Sequence, residues 1–229
     1  MDIVSLTRNL FAGAVLFAVC AAEAAEQKPL LDYDQNRGWV IVRNAFPNPS
    51  WGAGFRVQQY NGKYKPMKNF VFDGGDQEGR IITADDERIP VKIQCTKKSP
   101  TELSAKLTVE SAKPFSSGRL MYEQSIRYES QVGIKVTVND KVFDFSKPFD
   151  PKKPYQQEIP APADGENTTV VVDAPTASWT ITGKFAVILQ DLRKWNADIL
   201  QLRLMFTPYS GMITNASLDF SLVLNPKSE

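Results

Sequence analysis

Leu200-Gln201-Leu202-Arg203-Leu204-Met205-Phe206 sets an apolar residue at every second position and closes on Thr207-Pro208. A period of two puts Leu200, Leu202, Leu204 and Phe206 on one side of an extended chain, and Gln201 and Arg203 on the other. That is the pattern of a strand with one face buried and one wet. Working outward, the same alternation recurs in Leu103-Ala105-Leu107-Val109, Ile134-Val136-Val138, Phe185-Val187-Leu189 and Leu218-Phe220-Leu222-Leu224. From Trp39 onward such runs follow one another, and no stretch has the 3.6-residue period of a helix. The count comes to about 12 strands, too many for one open sheet and natural for two packed ones. The expected fold is all-β, a two-sheet antiparallel β-sandwich of jelly-roll-like form.

The punctuation between these runs agrees. Asn61-Gly62, Asp73-Gly74-Gly75-Asp76, Asn139-Asp140, Asp164-Gly165 and Thr182-Gly183 all carry residues that turn a chain sharply. Val136 to Phe143 reads as a hairpin closed by the two residues Asn139 and Asp140. Ser146-Lys-Pro-Phe-Asp-Pro-Lys-Lys-Pro154 cannot sit in a central strand, because proline donates no ladder hydrogen bond. It reads as an edge loop within one domain, with a linker between two domains as the alternative.

The first residues have the order of an export signal. A basic Arg8 precedes the apolar run Leu10 to Cys20, and an Ala-x-Ala site follows at Ala22-Glu23-Ala24. The run is about 11 residues, short of the roughly 20 a membrane helix needs, and no later segment is longer. The expectation is a signal peptide over residues 1–24, a single β-sandwich domain over 25–229, no transmembrane segment, and a secreted or periplasmic location. Cys20 offers a second reading, a lipidated cysteine anchoring the chain to a membrane, although Phe17-Ala18-Val19 before it suit that processing poorly. Cys95 is then the remaining thiol, so no internal disulfide is expected, and packing on the Val91 and Ile93 side of a strand is its simplest role.

Charge and composition exclude several classes. The chain has 27 Lys and Arg against 26 Asp and Glu, with the signs interspersed, which gives no electrostatic reason for a nucleic-acid partner. It has no histidine. That removes Ser-His-Asp and Cys-His catalysis, His-bound zinc and the usual neutral-pH base.

What remains for chemistry is acids and rings. Asp73, Asp76 and Glu78 crowd three carboxylates into a Gly-rich turn, a hard-oxygen set that suits Ca²⁺, although the spacing is not that of an EF-hand and a solvated hairpin loop explains it equally well. With Asp85, Asp86 and Glu87 the same acids can be recast as a glycosidase pair, a weak reading without a known separation. Aromatic side chains in turns are the stronger signal, because sugars stack their C–H faces on such rings. The candidates are Trp51, Tyr60, Tyr64 and Trp195. Asp191 and Arg193, two apart beside Trp195, could hold a sugar hydroxyl or simply each other. Trp39 and Trp179 open strand runs and read as core.

One likeness bears on function. The hairpin Lys135-Val-Thr-Val-Asn-Asp-Lys-Val-Phe143, the segment Thr180-Ile-Thr-Gly-Lys-Phe-Ala-Val-Ile-Leu-Gln-Asp-Leu-Arg-Lys-Trp195, the strand Leu200 to Pro208 and the ending Ile213 to Leu224 together resemble the non-catalytic β-sandwich domains that accompany secreted bacterial glycoside hydrolases. The likeness covers the C-terminal half, about Gly118 to Asn225. It implies a sandwich in an extracellular, carbohydrate-related setting and supplies no catalytic residue. The expected function is a secreted carbohydrate-binding or accessory protein with a polysaccharide or glycan as partner. The alternatives are an envelope module that holds a protein partner and a polysaccharide-active enzyme working through carboxylates.

Overall fold

The alternation becomes sixteen strands among the described residues of the computed structural model. Residues 28–34, 39–46, 53–59, 71–72, 78–82, 88–116, 120–127, 133–205 and 212–228 are described, with backbone alone for residues 34, 39, 53–59, 71–72, 78–82, 88–91, 115–116 and 120. In chain order the first eight strands are β1 (Leu30–Asp34), β2 (Trp39–Arg43), β3 (Ala53–Gln59), β4 (Val71–Phe72), β5 (Glu78–Ile82), β6 (Arg88–Ser99), β7 (Glu102–Ser116) and β8 (Leu120–Arg127). The rest are β9 (Lys135–Val138), β10 (Lys141–Asp144), β11 (Gln156–Ile159), β12 (Thr168–Asp173), β13 (Ala177–Gly183), β14 (Ala186–Asp191), β15 (Ile199–Met205) and β16 (Met212–Pro226). Sixteen exceeds the count read from the sequence: β1 lies before Trp39, where that reading began, and the short strands β4 and β11 carry too few residues to display a period.

The described strands form two sheets, all pairs antiparallel. The first has seven strands in the order β1-β2-β3-β8-β15-β14-β11, and the second nine in the order β10-β9-β12-β13-β16-β7-β6-β5-β4. Pairs nest alternately on the two sheets, β7 with β16, then β8 with β15, then β9 with β12, which gives the sandwich its jelly-roll-like winding. Among the described residues no helix is long and apolar enough to cross a membrane.

The core lies between the sheets. Leu200, Leu202 and Leu204 of β15 are fully buried, as are Leu103 and Leu107 of β7 and Trp179 and Ile181 of β13. One contiguous apolar cluster runs from Leu31 to Leu224 and draws on both sheets. Each fully buried Leu removes enough apolar surface from water to favour folding by about 1.5–3 kcal/mol. Two contacts show the sheets meeting: the Tyr122 and Phe220 rings, on β8 and β16, lie 5.3 Å apart, and Trp179 Nε1 of β13 donates to Gln124 Oε1 of β8 at 3.1 Å. Gly183 ends β13 where the chain crosses between sheets. A Cβ there would stand 2.3 Å from the Asp219 carbonyl oxygen and 2.9 Å from the Phe185 ring, so only glycine fits.

The outer faces differ. On the nine-stranded sheet, Thr169, Thr182, Ser221, Ser104 and Thr96 follow one another in register across five strands, a row of hydroxyls open in part to water. On the seven-stranded sheet, Met121, Glu123 and Ile188 point outward yet are shielded from solvent. There Arg203 Nε meets Glu123 Oε2 at 2.8 Å and Gln201 Nε2 donates to Glu123 Oε1 at 3.2 Å, so the buried carboxylate is compensated.

The Asn139-Asp140 turn closes the β9–β10 hairpin as read from the sequence, with Asn139 in the left-handed region at φ 51°. The proline-rich tract leaves β10 and enters β11. Those are edge strands of the two different sheets, so Pro148, Pro151 and Pro154 lie where no central ladder needs their missing N–H.

Candidate functional site

At the end of β14 the extended chain stops at Asp191 and enters a single 3-10 turn, Leu192–Trp195. Asp191 causes this. Its Oδ1 accepts from the Arg193 backbone N–H at 3.0 Å, the bond an N-terminal cap makes to the first turn. The turn ends at Asn196, whose φ of 58° reverses the chain while its N–H reaches the Arg193 carbonyl at 3.0 Å. Asn tolerates that left-handed conformation better than most residues.

Arg193 fastens the turn to the rest of the fold. Its Nε bonds Asp191 Oδ1 and Oδ2 at 3.0 and 3.1 Å, and its NH2 bonds Oδ2 at 2.6 Å, a bidentate pair whose side chains are each 9% exposed. NH1 then donates to the carbonyls of Phe145 and Lys147, at 3.2 and 2.7 Å, and so ties down the start of the proline-rich tract. At the tract's other end the Asp191 N–H donates to the Tyr155 carbonyl at 2.8 Å, next to the β11–β14 pairing that opposes Gln156 to Gln190.

These anchors bring two rings and a cation together. Tyr155 and Trp195 meet edge to face, with centroids 5.0 Å apart and planes at 77°. Lys194 Nζ stands 3.7 Å from the Tyr155 centroid and 5.3 Å from that of Trp195. Trp195 is 52% exposed, unusual for the largest apolar side chain in a fold that buries Trp179 completely. The arrangement offers a half-open indole on a fastened turn, with an ammonium 5.3 Å from its centroid. It can stack a flat apolar face and meet polar or charged groups at that face's edge.

Of the residues singled out in the sequence, Trp195 is the exposed ring of this cluster. Asp191 and Arg193 are brought beside it. They do not share a strand face, since the strand ends at Asp191; they bond each other, and Arg193 also bonds the Phe145 and Lys147 carbonyls. Trp51, Tyr60, Tyr64, Asp73 and Asp76 lie outside the described residues; Glu78 lies in β5, its side chain outside them, and residues 1–27, with the export signal and Cys20, are outside them too. Tyr155 and Lys194 were not among the sequence candidates. Tyr155 sits 40 residues from Trp195 and meets it through β11 pairing with β14, which no local pattern announces. Cys95 packs against the edge of the core, half-buried.

Comparison with protein-family models found no match, and no curated protein matched the chain.

Proposed function

We propose that this protein is an exported, non-catalytic glycan-binding module and that the Trp195 surface is its binding site. One observation carries the reading: a half-exposed tryptophan held by a buried ion pair. A large exposed ring favours association with an apolar face, and fastening it beforehand lowers the ordering cost of binding. The ring is braced by Tyr155, and its turn is locked by Asp191, Arg193 and two carbonyls, so little motion remains to be lost. Sugars present the matching partner, an apolar C–H face bordered by hydroxyls, and the exposed Asn196, next to Trp195 in the chain, offers an amide to them. The resemblance of the C-terminal half to domains beside glycoside hydrolases supports the same setting.

Retention on insoluble polysaccharides, compared between the native chain and Trp195→Ala, tests this. The ring is half in water, so the substitution leaves the melting temperature within a few degrees while retention falls about tenfold, the equivalent of about 1.4 kcal/mol. Unchanged retention in the variant, or no retention of the native chain by any of a wide set of glycans, overturns the proposal.

A further inference from the structure

The indole of Trp195 shares its surface with cations. Residues 146–155 and 191–198 carry Lys147, Lys152, Lys153, Arg193 and Lys194 against Asp150, Asp191 and Asp198, five positive charges to three negative in a chain whose total balance is +1. Asp191 and Arg193 cancel as an ion pair, which leaves four lysines against Asp150 and Asp198; Asp150 Oδ1 also accepts from the Lys152 backbone N–H at 2.9 Å. The four lysines are all exposed. Arg193 joins the two segments through the Phe145 and Lys147 carbonyls, which sets the backbone at Lys147 against the turn that carries Lys194.

Lys194 differs from an ordinary surface lysine. A lysine free in water does little for a bound anion, because both charges stay hydrated and salt screens them. Lys194 Nζ lies over the Tyr155 ring at 3.7 Å and over the Trp195 ring at 5.3 Å from its centroid, so two rings hold its charge in place at the indole. A neutral sugar on the indole would leave this ammonium, which has no ion-pair partner among the described residues, without a counter-charge. A sugar with an acidic group at its ring edge would lay its C–H face on the indole and set the acid against Lys194 in the same pose.

We infer that the glycan taken by this surface is anionic, one acidic sugar stacking on Trp195 with its carboxylate or sulfate at Lys194, while Lys147, Lys152 and Lys153 attract the charges of neighbouring units. This inference rests on the glycan-binding reading above and narrows its ligand class.

The test uses the full chain in affinity electrophoresis and calorimetry with five probes: polygalacturonate and alginate for carboxylate, κ-carrageenan for sulfate, fully methyl-esterified polygalacturonate as the uncharged twin of the first, and single-stranded DNA. Binding is expected to at least one acidic glycan, at least about tenfold tighter than to the methyl ester, and to weaken steeply as salt is raised towards about 0.5 M. Lys194→Gln should remove most of that preference at unchanged melting temperature, whereas Trp195→Ala should weaken acidic and neutral forms alike. Polygalacturonate against carrageenan tells carboxylate from sulfate. Equal, Trp195-dependent binding of polygalacturonate and its methyl ester overturns the inference and leaves glycan binding standing. Acidic glycans bound without dependence on Trp195, or DNA bound more tightly than every glycan, overturns it as well, because a bare cationic patch or a different polymer then accounts for the surface. Silence with all four glycans refutes the charge preference, and silence with neutral polysaccharides too removes the glycan reading beneath it.

Discussion

Trp179 Nε1 donates to Gln124 Oε1 at 3.1 Å, a hydrogen bond that crosses the interior from the nine-stranded sheet to the seven-stranded one. Both side chains are fully buried, and Gln124 Nε2 has no hydrogen-bond partner among the described residues. The amide is thus half satisfied, and the indole N–H is what satisfies it. A buried polar group left without a partner costs about 1–3 kcal/mol, whereas replacing both partners by apolar groups can be nearly neutral. Trp179→Phe strips the amide of its one bond and opens space in the core, so it should cost several kcal/mol in urea unfolding. Adding Gln124→Leu should recover part of that loss. If the two substitutions simply add, the inter-sheet hydrogen bond contributes nothing.

Arg193 is the pin of the candidate site, and its removal should be felt in stability as well as binding. Arg193→Ala leaves the Asp191 carboxylate buried without its counter-charge and frees the carbonyls of Phe145 and Lys147. Breaking one side of a buried ion pair typically costs about 3–5 kcal/mol. Thermal unfolding should therefore fall by well over the shift seen for Trp195→Ala, and proteolysis should begin in the proline-rich tract between Ser146 and Pro154. A variant that melts within a degree or two of the native chain would show that the pair is idle.

Cys95 gives a pH dependence whose sign follows from its surroundings. Burial pushes its thiol up from 9.0 to about 11, with Lys97 pulling the other way. The folded chain then holds the thiol proton more tightly than the unfolded one does. This contribution to stability is whole below about pH 9 and is lost as the pH rises through about 11. The thiolate is the reactive form, so near neutral pH the native thiol should alkylate on the order of a hundredfold more slowly than the unfolded one. Iodoacetamide labelling of a Cys20→Ser chain, native and in urea, measures the ratio. Equal rates would place Cys95 in ordinary water.

The alternation that announced the strands was a direct physical record, because each sheet buries one face. Leu202 and Leu204 point inward and Gln201 outward, as their spacing requires. Where both faces are shielded the record blurs. Met121-Tyr122-Glu123-Gln124 in β8 has no clean period, since Tyr122 and Gln124 face the core while Met121 and Glu123 are covered on the other side. No local pattern therefore marks the buried carboxylate and amide there. The candidate site was legible only in part, for a similar reason. Trp195 in a turn was visible as a ring hard to bury, yet its partners depend on the pairing of β11 with β14. The spacing of Asp191 and Arg193 did not show that the Asp191 side chain ends the strand by capping a 3-10 turn. The one local sign of Tyr155 was its place directly after a tract dense in Pro and Lys.

The alternation itself can be tested by placing the same charge at two positions that differ in the face they occupy. Leu204 lies in the middle of the seven-stranded sheet between Tyr122 and Val187 and is fully buried, while Val142 lies on the edge strand β10 and is 62% exposed. An aspartate at 204 would have to enter an apolar interior with no counter-charge, at a cost of several kcal/mol or by failing to fold at all. An aspartate at 142 stays in water on a strand with one free side, and its cost should stay below about 1 kcal/mol. Thermal unfolding followed by circular dichroism reads both variants, and a tag-free soluble yield serves where Leu204→Asp does not fold. Comparable losses at the two positions would mean that β15 does not present Leu204 to the space between the sheets, and the assignment of inner and outer faces would have to be reversed for that strand.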